Sequence, residues 1–335
     1  MLRLRSMRRK LRQPESKDLA VIDSIKAPDA VSVRRNTYVW TRRLLPWTFM
    51  APAIAFLLFM FAYPLFSNVQ MSVQHVTVGS FLTGIADYVG FDNYVDLFHD
   101  PLFLSSLQRT AVFTVFSIAG QMSIGMGLAL FFWRAFPLST ALRALMLAPW
   151  LLPLVVSATI WQWMFDLDSG VINYVLTSLN IVPDRVPWIT SVSFAMIATV
   201  ITNIWVGIPF SMAVFYSGLQ SLPREILEAA ELDGASKWQR FWMVILPMLG
   251  PLTGIVFTLS VTYTVKVFDL IFILTGGGPA NATQTLATYA YQRSFRNFDW
   301  GHGAAIGNIL ILIALGFAYF YLRSYRQSLQ KEGAD

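Results

Sequence analysis

Lys266 and Asp269 are the only charged side chains in the apolar run from Met248 to Ile273 of this 335-residue chain. Three residues apart, they would share one helix face and could pair with each other or line a watery path, the two settings in which charge survives inside a membrane span. Other chemistry is sparse. His75, His99 and His302 are scattered without metal-ligand spacing, and cysteine is absent, which excludes disulfides and thiol chemistry. No segment reads G-x-x-x-x-G-K-[ST], so the usual cradle for nucleotide phosphates is missing. The glycine-rich stretch Thr275 to Pro279 has no lysine at phosphate-reaching distance and reads as an external turn that needs positive φ. An intramembrane enzyme would require a nucleophile with its base, or a metal cluster, within the spans, and the sequence offers neither.

The elements that must hold these residues are apolar helices. Hydrophobic residues make up 55% of the chain and charged residues 13%, about half the charged share of a soluble domain, ~25%. Uncharged runs at Leu44–Phe66, Thr110–Trp133 and Ala144–Phe165 each exceed 20 residues, roughly enough to cross ~30 Å of hydrocarbon as a helix. Ser191–Tyr216 and Gly303–Leu322 are also free of charge. With Met248–Ile273 they predict an all-α polytopic membrane protein of six spans. The first run begins too late and is too long for a cleaved signal core, so the N-terminus is expected to be retained.

Charge sets the orientation. Twelve of the 25 Lys and Arg precede residue 44, which marks a cytoplasmic end rather than a nucleic-acid surface. Residues 67 to 108 carry Asp87, Asp92, Asp96 and Asp100 with no Lys or Arg, so that loop is expected outside, as a cap with short helices. Arg293 and Arg296, in the last external loop, break the rule. The organisation predicted is a basic, mobile tail at 1–43 able to touch anionic lipid, a membrane domain at 44–323, and a tail at 324–335, with both termini inside. Trp161 and Trp163 are expected in the interfacial aromatic belt.

Between the fourth and fifth spans lies a polar island, residues 221–247. Pro223 suits a first helical turn, Arg224 to Leu232 are good helix formers, and Asp233-Gly234 stops them with a left-handed cap. Ser236 can then cap a second helix from Lys237 to Leu246, with Pro247 starting the next span. Glu225, Glu228 and Glu231 mark one helix, and Trp238, Phe241 and Trp242 load the other with aromatic surface. Such surface calls for a cover, either lipid headgroups or a protein partner.

The spacing Glu228-Ala229-Ala230, Gly234, Val244-Ile245-Leu246-Pro247 resembles the EAA loop of membrane subunits of binding-protein-dependent ATP-binding-cassette importers, with Val244 where isoleucine is usual. "FDLIFILTGGGPANATQTLATYAYQRSF" at 268–295 and "VGFDNYVDLF" at 89–98 look like its carbohydrate branch, the maltose and glycerol-3-phosphate types. The resemblance implies a type I importer permease fold whose loop at 228–247 couples to an ATPase through Glu228, Ala229, Ala230, Gly234, Trp238, Phe241, Leu246 and Pro247. It further implies a second permease subunit, an ATPase dimer that uses ATP and Mg, and an extracytoplasmic sugar-binding protein, in a bacterial inner membrane. This chain would bind no cofactor and hydrolyse nothing itself.

In the maltose-type branch, sugar contacts fall on the fourth and fifth spans. Counting without gaps from Glu228 carries them onto Asn203, Gly207 and Phe210, and onto Ser260, Tyr263 and Val267, where Val267 departs by being apolar. Lys266 stands beside them and leaves a glycerol-phosphate or polyol cargo open. The alternative of another class is an ion-coupled secondary transporter using Lys266 and Asp269, which leaves the EAA loop unexplained.

Overall fold

The structure, a computed structural model, describes residues 35–134 and 136–332, with side chains within 46–323 apart from residues 81 and 135. Residues 1–34 of the expected basic tail, and its lipid contact, lie outside the described residues. Two compact units divide at Ala62. The first holds α1 (Arg35–Leu57) and a π-helical turn, Leu58–Ala62, so helix already begins nine residues ahead of the expected boundary at 44. Its Trp47, Phe49, Phe56 and Phe59 are exposed, as suits a helix whose solvent is lipid.

The second unit opens with α2 (Tyr63–Ser72) and a small outer layer of α3 (Val78–Thr83) and α4 (Asp92–His99). The sequence reading foresaw short helices here but missed the ladder of β1 (Gln74–His75) with β2 (Asp87–Tyr88), antiparallel with Gln74 opposite Tyr88. Buried Asn93 holds the layer down, donating from Nδ2 to the carbonyls of Ser72 and Gln74 at 2.9 and 3.0 Å.

Among the described residues four helices are long and apolar enough to cross a membrane, and up to six spans result if each of two bent pairs counts as one. The unbroken ones include α5 (Pro101–Trp133), which Asp100 caps by accepting from the Leu102 N–H at 2.8 Å. The third span is not the single helix expected at 144–165. It is α6 (Ser139–Met146), α7 (Ala148–Leu151) and α8 (Leu154–Met164), turned by 98° where Pro153 denies α8 a preceding helical residue. After α9 (Val171–Ser178) comes α10 (Ala195–Gln220), the fourth span.

Helices α5 and α10 press together through glycine. A Cβ on Gly125 would lie 2.6 Å from Ser211 Cβ, and one on Gly207 2.2 Å from Gln121 Cδ, so only the missing side chains permit this approach. Below that seam Met126, Ala129 and Phe132 pack against Met212, Phe215 and Leu219. Trp161 belongs to a core, packed with Phe165, Ala198 and Leu274, which corrects its assignment to the interfacial belt. Trp163 is exposed. A Trp two residues on points to the other side of the same helix, and depth in the membrane says nothing about that azimuth.

The polar island folds as α11 (Arg224–Leu232), α12 (Lys237–Arg240), a π-helical turn at Phe241–Ile245, and α13 (Leu246–Met248). The fifth span follows as α14 (Gly250–Val265) and, after a break, α15 (Asp269–Thr275). The bend of 71° falls at Leu249, two residues beyond Pro247, because proline is compatible with a first helical turn. Last come α16 (Leu286–Tyr291), a third π-helical turn at Gln292–Arg296, and α17 (Trp300–Glu332). Helix α17 runs on through most of the tail expected at 324–335.

Candidate functional site

A cavity of about 480 Å³ opens between α10, α14 and their neighbours. Helix α10 presents Asn203, Gly207 and Phe210 to it, spaced by four and three residues on one face. Helix α14 presents Ser260, Tyr263 and Thr264, and the chain just past it adds Lys266, Val267, Phe268 and Asp269. All seven residues expected along a substrate path, Asn203, Gly207, Phe210, Ser260, Tyr263, Val267 and Lys266, therefore line one cavity. Sequence reasoning missed Gln121, which arrives from α5, and Trp150 from α7, whose ring lies 6.0 Å from that of Phe210.

Asn203 is 5% exposed, and its carbonyl accepts from Gln121 Nε2 at 2.9 Å. Its own Nδ2 is buried with no hydrogen-bond partner among the described residues. A buried donor left unmade costs about 1–3 kcal/mol, so a hydroxyl arriving in the cavity would gain what the empty site lacks. Polar amides set among Trp150, Phe210, Tyr263 and Phe268 can bind a molecule with hydroxyl edges and apolar faces.

The expected pairing of Lys266 with Asp269 on one helix is not found. Helix α14 ends at Val265 with Lys266 as its cap, and Asp269 begins α15. Each charge thus sits at the helix end whose dipole favours it. Among the described residues the ion pairs do not join these two, and the Lys266 ammonium lies 5.3 Å from the Tyr263 ring centre.

At the other end of α14 stands the helix-turn-helix. Gly234 takes φ +80°, donating its N–H to Glu231 O at 3.1 Å while Ala235 N–H reaches Ala230 O at 3.0 Å. This pair of bonds is the Schellman closure that glycine favours. Ser236 then caps α12, exchanging bonds with Gln239. Glu228, Ala229 and Pro247 are exposed, while Ala230 and Leu246 are half-buried. Trp238 and Trp242 face outward at 70% and 49% exposure. Phe241 instead packs inward with Leu227 and Leu246 onto the core that includes Phe215 and Leu219, and so ties the loop to the fourth span.

A charge cluster closes the end of the bundle near the small outer layer. Arg293 Nη2 lies 2.7 Å from Asp100 Oδ2, Nη1 lies 3.6 Å from Asp299 Oδ2, and Nε donates to Tyr289 Oη at 2.7 Å. The Tyr289 hydroxyl donates to Asp100, and His302 contacts Asp299 and Asp96 at 2.9 and 3.7 Å. Arg293 thus has a structural reason to break the charge rule. Burial opposes the charge on Asp100, but hydrogen bonds from Tyr289, the Leu102 N–H and Arg293 outweigh it and hold the carboxyl below its ordinary range. Asp299 is likewise lowered, burial being overcome by His302 and Arg293. Burial and the Asp100 bond push Tyr289 up to about 12.

The sign follows by linkage. Lowered carboxyls contribute stability above the ordinary carboxylate value, ~3.9, and lose it as pH falls through their lowered values. The raised Tyr289 contributes stability below the ordinary tyrosine value, ~10, and loses it as pH rises toward about 12. The apparent melting temperature in detergent is expected to hold level between these limits and fall on both sides. Asp100→Asn should flatten the acid limb, and an unchanged limb would exclude Asp100 as its source and leave Asp299.

Residues 121–327 match the family described as binding-protein-dependent transport system inner membrane component. The sulfoquinovosyl glycerol transport system permease protein of Agrobacterium fabrum is 33% identical, over 86% of this chain and 94% of its own. The trehalose/maltose transport system permease protein of Thermococcus litoralis is also 33% identical, over 70% of this chain and 79% of its own. The fold is similar to that of a solved bacterial ABC transporter involved in the import of the acidic polysaccharide alginate. That likeness has a TM-score of 0.73 at 20% identity, and covers 87% of this chain and 98% of that one.

Proposed function

This chain belongs to the family of binding-protein-dependent transport system inner membrane components, and on that premise we propose that it forms half of the path by which a carbohydrate enters the cell. The observation that carries the cargo is the cavity, where aromatic faces surround a buried Asn203 amide that has no partner among the described residues. The cargoes for which its relatives are named, sulfoquinovosyl glycerol and trehalose or maltose, support the same class. Glycerol-phosphate is a second cargo that Lys266, placed in the cavity, would favour.

In this reading the chain spans a bacterial cytoplasmic membrane with both termini inside, beside a second permease subunit and surrounded by lipid. An external binding protein delivers the sugar. Two ATPase subunits hold the ATP and Mg and grip the loop at 221–247 through Glu228, Gly234, Trp238 and their neighbours. Closure of the ATPases would swing the loop, and the inward-packed Phe241 would pass that motion to α10 and α14, on which the cavity is built.

The test is uptake by the full transporter reconstituted in liposomes, with sugars and glycerol 3-phosphate offered together. ATP-dependent accumulation of a saccharide is expected. Gly207→Ala should lower it by about tenfold, since a Cβ would collide with Gln121 and overpacking costs ~1–3 kcal/mol. Accumulation driven by an ion gradient without any ATPase would instead establish the secondary-transporter reading.

A further inference from the structure

Four aromatic rings lead out of the cavity. Phe268, which lines it, stacks on Phe272 with centroids 4.9 Å apart and planes at 23°. Tyr291 lies 4.9 Å from both. Phe295 follows, 5.2 Å from Tyr291 with planes at 32°, and is 62% exposed. Phe268 and Phe272, at the start of α15, and Tyr291 and Phe295, running from α16 into the π-helical turn, are two pairs spaced by four residues, and their ring contacts, one of them edge-on at 62°, link the exposed Phe295 to Phe268 on the cavity wall. Arg296 crowns it, its guanidinium 5.8 Å from the Phe272 ring centre.

Three features separate this track from a packed core. Phe268, Phe272 and Tyr291 are half-buried rather than buried. The Tyr291 hydroxyl has no hydrogen bond, and Arg296 no ion pair, among the described residues. The outer ring also rides on a π-helical turn, Gln292–Arg296, a distortion found often at functional sites.

We propose that Phe295, Tyr291, Phe272 and Phe268 form an inlet track on which saccharide rings slide by their apolar faces from the outer mouth to the cavity. Sugar rings present C–H faces that pack on aromatic rings, and hydroxyl edges that Tyr291 and Arg296 can bind. Successive similar contacts let one ring leave as the next receives it, so no single site becomes a trap. The track takes the cavity's occupant because it ends in the cavity. This inference rests on the carbohydrate reading.

The experiment uses the reconstituted transporter with its binding protein and an equimolar panel of mono- to tetrasaccharides, read by mass spectrometry of washed liposomes. Phe295 is exposed and its ring contact is with Tyr291, so its substitution disturbs little else of the packing. Phe295→Leu, which keeps the apolar bulk but removes the ring, is expected to lower transport efficiency about fivefold, the scale of one lost aromatic contact. The longer saccharides should lose most. Phe295→Trp should restore it, and ATP hydrolysis stimulated by the binding protein should be unchanged. If Phe295→Leu transports like wild type, the track is wrong while the carbohydrate reading stands. If leucine and tryptophan fail alike, or binding-protein stimulation is lost, Phe295 serves docking or folding and the proposal is overturned. If wild type takes up no saccharide, the carbohydrate reading falls first and the track with it.

Discussion

Gly234→Val is expected to cut ATP-driven uptake by tenfold or more and to leave ATP hydrolysis running without transport. The glycine holds φ +80°, yet a Cβ built there would meet nothing within 4 Å. The cost is therefore one of backbone conformation, not of collision. A left-handed residue with a side chain costs ~1–2 kcal/mol, and β-branching adds to it. At ~1.4 kcal/mol per tenfold, the native turn would lose roughly 5- to 30-fold in population. Relief requires breaking the bonds from Gly234 to Glu231 and from Ala235 to Ala230, which would re-aim Trp238 and Trp242 together. The ion pair of Arg240 with Glu231, 2.9 Å across the same turn, is too exposed on the Glu231 side to hold it. Gly234→Ala should fall between valine and wild type. The check is the ratio of sugar moved to ATP consumed, and a valine variant with the wild-type ratio would show that the turn does not transmit force.

Arg293→Met should lower the apparent melting temperature more than any other single change outside the spans. It leaves Asp100 and Asp299, about a fifth exposed, without the guanidinium they share, and only Asp299 keeps His302 beside it. Stranding a fully buried charge costs ~3–5 kcal/mol, and partial exposure here reduces that to about 2–3 kcal/mol. Asp100 also caps α5, so the damage spreads to the start of the second span. A double-mutant cycle with Asp100→Asn isolates the contact, with a coupling of about 1–3 kcal/mol expected. Simple additivity would mean that Arg293 acts through Asp299 or Tyr289 instead.

Local chemistry made the coupling turn legible. Asp233-Gly234 and Ser236 are caps whose geometry depends on neighbours along the chain, and the structure realises both. Gap-free counting from Glu228 likewise placed six residues on one cavity, because α10 and α14 are nearly unbroken where it matters. Two helix breaks were harder. The one after Val265 carried a sign that hydropathy ignores: a cation to close one helix and an acid to open the next. Gln121, Trp150 and the Arg293 cluster join segments far apart in the chain, which periodicity does not report. The only trace of that cluster was Arg293 itself, out of place in an external loop.

The sixteen residues of α14 run roughly 24 Å, and those that line the cavity fall only in the half away from the polar loop. Changes so far apart add with little interaction, so the two ends are free to drift on separate evolutionary clocks. On the proposed reading, a lineage could therefore replace Val267 and acquire a new diet without losing its fit to an inherited motor, and one motor could serve several permeases of different taste.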